Sequence, residues 1–489
     1  MPVAPAHYDI HQDASPALAQ WGPGIAYSRL FRFRTGPGVE TPNGEIECDL
    51  CEGWTMTGPS PTVYEVTLRS GVRWQDLAPV SGRPLTAADV VFSLRRQSTA
   101  GWPNSPLLAP VSGIVASGDR AVRFTLTRPD AEFLERLADG HSRIVAPEAV
   151  AVRGDLLAGP TIGTGPWQLL EASDSAFKYV ANPGYFEPGI PAVDFLQVVV
   201  LPSDGVRASA LRTHTLDFVS VGAAELADAV HNFPDLLWTK TIQPGAGVEV
   251  ALNTNARPFD SADARRAAFL ALDPWRDVNE IWLGGVDVTT GLPVPSASWL
   301  LPREAFSEFL AQPRRAAELA AASGIAQGTA IDIIVAEFGP EYAEQASRIA
   351  QDLATVGFKP ALQRVSTRRF ADEVWFGGKF QMFVGAQPPV SSLSDYLLAV
   401  HHSKGPWNTT GYRSAELDAL IEAQAVATDP ARRRQLVLDI QAEIMRGAYR
   451  FSPATLYTHW AWWPGVEGFG PNTYRGESYF LARMWLSRQ

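Results

Sequence analysis

Apolar and polar residues alternate along the segment 62–70, TVYEVTLRS, which predicts a strand with one buried face. A loop rich in Pro and Gly follows this strand, and Thr86 then begins a helix. Asp89 stands near the start of that helix and is placed to complete a capping box with Thr86. In the segment 113–129, apolar and polar residues alternate on both sides of SGDR, which predicts a hairpin with its turn at SGDR.

The segment 194–202, DFLQVVVLP, is nearly all apolar. A continuous apolar run of this kind predicts a strand that is buried on both faces. A helical pattern containing Ala208 and Leu211 comes next, and the extended segment THTLDFVSV follows it. We therefore predict a β-α-β unit in this part of the chain.

Strand and helix patterns alternate again from Val248 onward. Ser261 is placed as the N-cap of one predicted helix, and Gly357 ends another. The predicted strands are 247–255, 331–338, 379–386 and 451–469, and the predicted helices are 261–273, 341–356, 415–425 and 431–445. Strands and helices that alternate in two separate blocks predict an α/β protein with two lobes.

Composition narrows the possible partners. The chain has 489 residues, 46% of them hydrophobic, and a formal net charge of -11. This acidic balance argues against a nucleic-acid partner, which requires a basic surface. The first residues lack the positive patch and apolar core of a signal peptide, so the protein is cytosolic or the chain begins after a removed leader.

Cys48 and Cys51 form a single CxxC, and no second Cys or His pair accompanies it at zinc-site spacing. A local disulfide and two buried thiols both remain open for this pair. We expect no metal site and no cofactor.

The sequence contains no recognisable catalytic motif. A GxSxG elbow, an HExxH pair and a phosphate-binding GxxxxGK[ST] loop are all missing. We therefore favour a binding protein over an enzyme. The alternative is an α/β hydrolase or transferase whose catalytic residues come from separate loops.

Several sequence motifs, taken in their order along the chain, resemble those of one protein family. The segment 68–93 reads LRSGVRWQDLAPVSGRPLTAADVVFS, and GTGPW, NPGYF, LNTNARPFDSADARRAAFLALD and GYRSAELDALI follow it. In this combination the chain resembles the extracytoplasmic solute-binding proteins of ABC importers, family 5, whose members bind oligopeptides, dipeptides or nickel.

The resemblance implies an α/β, two-lobed periplasmic-binding-protein type II fold with an extra small domain and a hinge between the lobes. Residues 1–33, 160–247 and 466–489 would form the main domain of lobe 1. Residues 34–159 would form the additional small domain, and residues 248–465 would form lobe 2. In such proteins Trp74 is structural and packs where strand, loop and helix meet.

The resemblance also implies the function. The lobes would close on a small organic solute, peptide-like or other, and membrane permease subunits of an ABC importer would receive it. We expect a monomer with no nucleic-acid partner, located in the periplasm or outside the cell and trimmed of its leader, with a lipid anchor as a further alternative.

The solute itself is less defined. Peptide-binding relatives hold the ligand's ammonium group with an aspartate that follows a strand like 379–386. In this chain Pro389 stands near that place, and Asp395 is typical of a residue at the start of a helix. We therefore predict weak binding of free di- and tripeptides, because a buried ammonium needs a carboxylate partner. An oligosaccharide, an aromatic solute and a nickel chelate are the alternatives.

Eleven residues are candidate ligand contacts. Glu249 faces the cleft or lies exposed at a strand edge, and Asn253 and Asn255 are hydrogen-bond donors near the hinge or structural caps. His401 and His402 could hold a nickel chelate, although a solvated loop is the alternative for both. Trp407 could stack on a flat solute, and His11 and Gln12 lie in an N-terminal loop. The full set is His11, Gln12, Tyr27, Glu249, Asn253, Asn255, Gln387, Ser391, His401, His402 and Trp407.

Overall fold

A computed structural model describes residues 1–58, 61–388 and 392–487. The chain forms two compact units. Unit 1 contains Met1–Val221, Glu225–Thr239 and Trp460–Gln489, and unit 2 contains Gly222–Ala224 and Lys240–His459. The division into three domains that we predict from the resemblance stays a prediction.

The strands are named in chain order. They are β1 (Phe31–Phe33), β2 (Ile46–Cys48), β3 (Cys51–Met56), β4 (Val63–Leu68), β5 (Val111–Ser117), β6 (Ala121–Leu126), β7 (Trp167–Ala172), β8 (Ala176–Ala181), β9 (Phe195–Val199), β10 (Phe218–Val221), β11 (Leu237–Leu252), β12 (Val286–Thr289), β13 (Thr329–Ala336), β14 (Phe358–Val365), β15 (Met382–Ala386), β16 (Arg450–Trp462), β17 (Val466–Glu467) and β18 (Trp485–Leu486).

The α-helices are named in the same way. They are α1 (Ala87–Gln97), α2 (Phe133–Ala138), α3 (Pro147–Ala151), α4 (Asp204–Arg212), α5 (Ala223–Asn232), α6 (Ala262–Ala271), α7 (Pro274–Glu280), α8 (Pro313–Ala322), α9 (Pro340–Thr355), α10 (Thr367–Phe370), α11 (Leu393–Tyr396), α12 (Ala415–Val426), α13 (Pro430–Gly447) and α14 (Phe480–Arg483).

In unit 1, the predicted strand and capped helix are β4 and α1. The strand β4 lies inside a sheet of order β3-β4-β6-β5, and β5 and β6 form the predicted hairpin. At the start of α1, the Asp89 carboxylate accepts hydrogen bonds from the backbone N–H and the hydroxyl of Thr86, at 2.9 and 3.1 Å. Trp74 is buried in the same apolar core as β4 and α1, which confirms its structural role.

Two predictions around residue 195 are wrong. Burial alternates along β9, because β9 lies at the end of a three-stranded sheet of order β7-β8-β9 and only one of its faces is covered. Phe195 is 72% exposed, whereas Leu196 and Val198 are buried. The predicted β-α-β unit also fails, since β10 lies beside β16 and not in the sheet of β9.

Cys48 and Cys51 form a disulfide, which decides between the two alternatives for this pair. The bond connects the end of β2 to the start of β3.

In unit 2, the strands follow the order β16-β11-β15-β13-β14, and β12 pairs with β16. The strand β13 runs parallel to β14 and β15, so these three strands end at the same edge of the sheet. The strand β11 runs antiparallel to β15. Val248, Val250 and Leu252 of β11 pack in one core and Ala251 packs in another, which confirms the predicted alternation of faces.

Candidate functional site

An aromatic cluster lies where the parallel strands of unit 2 end. We call Phe338, Tyr342, Phe370 and Trp375 the aromatic wall. The Phe338 ring stacks on Trp375, with centroids 6.4 Å apart, and meets the Tyr342 and Phe370 rings at 5.6 and 5.9 Å. Phe338 lies two residues beyond the end of β13 and is 38% exposed, so the wall presents an apolar aromatic surface at this edge.

The backbone at the end of β15 holds the wall in place. Trp375 Nε1 donates a hydrogen bond to the Ala386 carbonyl oxygen at 3.1 Å. Gln387, a predicted contact, comes next and is 9% exposed. A Cβ built at Gly291 would lie 2.4 Å from Gln387 Nε2, so this glycine makes room for the amide. Gly291 also has a φ of +83°, which disfavours other residues.

Glu249 lies in a closed group of buried polar side chains. Its Oε1 accepts a hydrogen bond from the Tyr396 hydroxyl at 2.9 Å and is 2.8 Å from Arg450 Nη1. Glu249 is fully buried, so its placement at an exposed strand edge is ruled out. Whether it faces a ligand stays a prediction.

His401 contacts Tyr396 of this group and the neighbouring Tyr449. His401 Nδ1 lies 2.7 Å from the Tyr449 hydroxyl, and its ring centroid is 5.5 Å from that of Tyr396. His401 is 1% exposed, so the solvated-loop interpretation is wrong for this residue. The chain buries it because Leu397–His401 is a helical turn that packs into an apolar core.

Burial controls the electrostatics of this group. Desolvation raises the pKa of the Glu249 carboxyl, and the Arg450 guanidinium opposes that rise. Desolvation and the charge of Arg450 lower the pKa of His401 well below its usual range, so the imidazole is neutral at neutral pH. Glu249 Oε2, Arg450 Nε and His401 Nε2 make no hydrogen bond with the described residues.

His402 makes its hydrogen bonds outside that group, whereas Trp407 packs against the same apolar core as Tyr396. His402 Nε2 is 3.2 Å from Glu422 Oε1, and His402 Nδ1 accepts a hydrogen bond from the Lys404 backbone N–H at 3.1 Å. Trp407 is partly buried, and its ring meets the exposed Phe376 ring edge-on at 6.2 Å.

Asn253 and Asn255 form a local turn after β11. Asn253 Nδ2 donates to the carbonyl oxygens of Gly378 and Phe380 at 3.0 and 2.9 Å. Asn253 Oδ1 accepts from the Asn255 backbone N–H at 3.0 Å. These bonds use both ends of the Asn253 amide within unit 2.

The candidates of unit 1 include a second buried charged group. His11 is fully buried, with Nε2 2.9 Å from the Arg143 carbonyl oxygen and Nδ1 3.0 Å from Arg96 Nη1. Gln12 Nε2 donates to Asp9 Oδ2 at 3.0 Å, and Asp9 pairs with Arg96. Burial lowers the pKa of His11 to about 4. Burial alone would raise the pKa of Asp9, but Arg96 lowers it to about 2.

Tyr27 is the third candidate of unit 1. It is 1% exposed, and burial raises the pKa of its hydroxyl well above the usual range. Its carbonyl oxygen accepts a hydrogen bond from Arg143 Nη1 at 2.8 Å. Because Arg143 also reaches His11 through its own carbonyl, Tyr27 and His11 lie in one network.

The structure thus brings together two sets of the predicted residues: Glu249 with His401, and His11 with Gln12 and Tyr27. Ser391 and Pro389 lie outside the described residues. Sequence reasoning missed Arg450, Phe338 and Trp375. Arg450 opens the buried strand β16, where a charged residue signals a buried partner, and Phe338 is the last residue of the predicted strand 331–338.

The described residues contain neither a group of metal-ligating side chains nor a membrane-spanning helix. Within residues 1–58, 61–388 and 392–487, no three or more His, Cys, Asp or Glu side chains are grouped so that they could hold a metal ion. In the same residues, no helix has both the length and the apolar character that crossing a bilayer requires.

Comparisons with known proteins give one consistent family. Residues 45–409 match the family of bacterial extracellular solute-binding proteins, family 5. The glutathione-binding protein of Salmonella typhi is 24% identical over 448 residues, which cover 89% of this chain and 83% of that protein. The heme-binding protein A of Haemophilus influenzae is 25% identical over 492 residues, which cover 93% and 84%.

The solved structure of HbpA2 from Haemophilus parasuis superposes with a TM-score of 0.84 at 20% identity, covering 99% of this chain and 98% of that one. This likeness confirms the predicted two-lobed type II fold of periplasmic binding proteins. The family match extends over most of the chain and includes the whole segment 68–93. The protein therefore belongs to the bacterial extracellular solute-binding proteins, family 5.

Proposed function

We propose that this protein is the receptor of an ABC importer, which captures a small organic solute and hands it, chemically unchanged, to permease subunits in the membrane. The observation that carries this proposal is the family match over residues 45–409. The relatives support it, since they are binding proteins for glutathione and for heme.

The solute we propose is a planar, aromatic or conjugated molecule. Ligands of open α/β sheets bind outside the carboxyl ends of the strands, and the aromatic wall lies at those ends of β13 and β15. An exposed aromatic face gains free energy from flat apolar surface and from offset stacking. Free di- and tripeptides are expected to bind weakly, because Pro389 stands near the place where peptide-binding relatives have an aspartate.

The receptor is expected to act in the periplasm or outside the cell. We also propose that the protein is a monomer and that it carries a lipid anchor. Both can be tested on protein isolated from its native source, by mass spectrometry of the first residues and by size-exclusion chromatography with light scattering.

The deciding experiment starts from the solute that copurifies with the protein. Native mass spectrometry identifies it, and calorimetry measures its affinity for the emptied protein. The variant Phe338→Ala is expected to bind it about tenfold more weakly, since a stacked aromatic contact contributes about 0.5–1.5 kcal/mol beyond its area. The variant Phe195→Ala changes an exposed phenylalanine of unit 1 and serves as the matched control.

Two outcomes would contradict this proposal. Chemical conversion of the bound solute during prolonged incubation would favour the hydrolase or transferase alternative. Micromolar binding of unmodified tripeptides, with equal affinity in the Phe338→Ala variant, would exclude the planar solute.

A further inference from the structure

Unit 1 contains a small cavity, of about 10 Å³, that several arginines line. This volume is close to the minimum that holds one water molecule, so the space admits a single small guest. We call it the arginine cavity. All of its lining residues lie in unit 1. Those that carry the argument are Ser28, Arg29, Asp49, Arg143, Trp167 and Tyr185.

Backbone pairing brings two of the arginines side by side. Arg29 and Arg143 are partners in an antiparallel β-bridge, and both are buried. Residues directly opposite each other in such a pair have their side chains on the same face, with Cβ atoms about 4.5–5.5 Å apart, and like charges so placed repel each other. Burial, together with the charge of Arg29, lowers the pKa of Arg143 to about 9. This pair therefore requires negative charge nearby.

Arg29 has a carboxylate partner, whereas the hydrogen bonds of the Arg143 guanidinium go to neutral oxygens. Arg29 pairs with Glu477. Arg143 Nε and Nη1 donate to the carbonyl oxygens of Gly140 and Tyr27 at 3.1 and 2.8 Å, and Arg143 Nη2 donates to the Ser478 hydroxyl at 3.0 Å. A buried ion costs free energy unless an opposite charge compensates it. The positive charge of Arg143 is therefore the one that a guest of opposite charge would stabilise.

Arg32, the third arginine of the lining, is already compensated. Its Nε lies 2.7 Å from a Glu47 carboxylate oxygen, and its Nη1 lies 2.7 Å from one of Glu187. The need for negative charge at the cavity therefore comes from the bridge partners and not from this residue.

The cavity also contains hydrogen-bond donors that have no acceptor. Arg29 Nε, Arg29 Nη1 and Trp167 Nε1 are buried and make no hydrogen bond with the described residues. Guanidinium and indole nitrogens can only donate, so their guest has to be an acceptor. The hydroxyl groups of Ser28 and Tyr185 are also without a partner among the described residues, and each can add a further donor.

Asp49 brings a carboxyl group to the same cavity. Its Oδ2 accepts a hydrogen bond from the Arg29 backbone N–H at 2.9 Å. Its Oδ1 lies 3.8 Å from Arg32 Nη1 and makes no hydrogen bond with the described residues. Desolvation raises the pKa of this carboxyl, which favours its neutral form, and the hydroxyls of Ser28 and Tyr185 can donate to Oδ1. The N–H groups of Arg29 and Trp167 then still lack an acceptor.

The balance of donors and acceptors decides between a water and an anion. A buried water makes about three hydrogen bonds, and some of them use its own hydrogens. A monatomic anion accepts from every side and also compensates buried positive charge. The arginine cavity therefore fits an anion better than a water.

We propose that the arginine cavity binds one chloride ion, which accepts hydrogen bonds from Arg29 and Trp167 and supplies negative charge beside Arg143. The ion connects the residues before β1 to the start of β7, because Arg29 lies before β1 and Trp167 opens β7. It is a stabilising ligand of unit 1, and its binding does not depend on the proposed importer solute.

The test compares thermal unfolding of the full chain in sodium chloride and in sodium gluconate at equal ionic strength. Gluconate is too large for the cavity, so only chloride is expected to raise the unfolding midpoint, in a saturable way. Crystals grown in sodium bromide should show an anomalous scattering peak between Arg29 and Trp167. Equal midpoints in the two salts, or bromide-grown crystals with only a water at this place, would overturn the proposal.

A matched pair of variants locates the ion. Trp167→Phe removes the indole N–H from the cavity and keeps an aromatic ring. It is expected to raise the chloride concentration for half of the midpoint increase about tenfold, as for a lost hydrogen bond to a charged group. Trp460→Phe is the control, since Trp460 is also buried in unit 1 with Nε1 lacking a partner among the described residues, but it lies outside this cavity.

The parent protein and the control should respond to chloride equally. An unchanged chloride response in Trp167→Phe would overturn the proposal. If Trp167→Phe failed to fold, the bromide position in crystals of the parent protein would decide, because that measurement needs no variant.

Discussion

At the scale of single residues, this protein buries charge in small groups whose members lie far apart along the chain. Glu249 contacts Arg450 and Tyr396, and His11 contacts Arg96 and Arg143. A buried ion is costly unless a partner compensates it, and removal of one partner leaves the other uncompensated. The stability of both units therefore depends on these pairs remaining complete.

The first prediction concerns Glu249 and Arg450. Glu249→Ala is expected to lower the free energy of unfolding by about 3–5 kcal/mol, because it leaves the buried Arg450 guanidinium without its carboxylate. Urea unfolding followed by tryptophan fluorescence measures this loss. Glu249→Leu combined with Arg450→Met should recover most of it, since the pair is then replaced by apolar groups. A loss below about 0.5 kcal/mol in Glu249→Ala, as for an ordinary surface change, would contradict this account.

The second prediction concerns His11 and pH. Its pKa in the folded protein is about 4, below the ordinary value of about 6.5. The unfolded chain therefore takes up a proton that the folded protein does not, and stability falls as pH falls from about 6.5 toward about 4. Between pH 7 and 4.5, the parent protein should lose about 2–3 kcal/mol more than His11→Gln does. Equal losses in urea unfolding at the two pH values would show that His11 titrates normally.

At the scale of elements, local patterns predict where strands and helices begin, but they do not predict the neighbours of each strand. The strand β4 and the helix α1 have the predicted positions because alternation and capping are local signals. The prediction that β9 is buried on both faces is wrong, because an edge strand and a central strand can have the same apolar sequence pattern. Sheet order is set by pairing between distant segments.

The third prediction concerns the start of α1. Asp89 accepts two hydrogen bonds from Thr86, and its Oδ1 lies 2.7 Å from Arg83 Nη2. Asp89→Ala is expected to destabilise unit 1 by about 1–2 kcal/mol, the usual effect of losing a helix cap. Asp89→Asn keeps an acceptor for the Thr86 N–H and should lose less. Thermal unfolding followed by circular dichroism measures both, and equal effects of the two variants would assign the loss to charge alone.

At the scale of the whole molecule, family membership follows from motif order along the chain. The segment 68–93 and the four later blocks are spread over both units. The sequence therefore indicated the fold and the class of function together, and the comparisons confirm both. The site residues and the domain boundaries stay predictions.

The fourth prediction concerns binding and stability. A ligand that binds only the folded protein stabilises it by mass action, by about 2.7 kcal/mol at a concentration of one hundred times its Kd. The importer solute should therefore raise the unfolding midpoint of the emptied protein in a thermal-shift assay. The Phe338→Ala variant at the same solute concentration should show a smaller rise. A solute that binds by calorimetry without any rise in the midpoint would point to binding by the unfolded chain as well.

The sequence by itself determined the strands and capped helix of the first block, the two faces of β11 and the family. Each of these depends on residues close together in the chain or on the order of motifs. Only the tertiary structure decided that Glu249 is paired with Arg450, that His401 is buried, and that β9 lies at the end of its sheet. The physical reason is that burial and pairing are properties of the space around a residue, and distant parts of the chain fill that space.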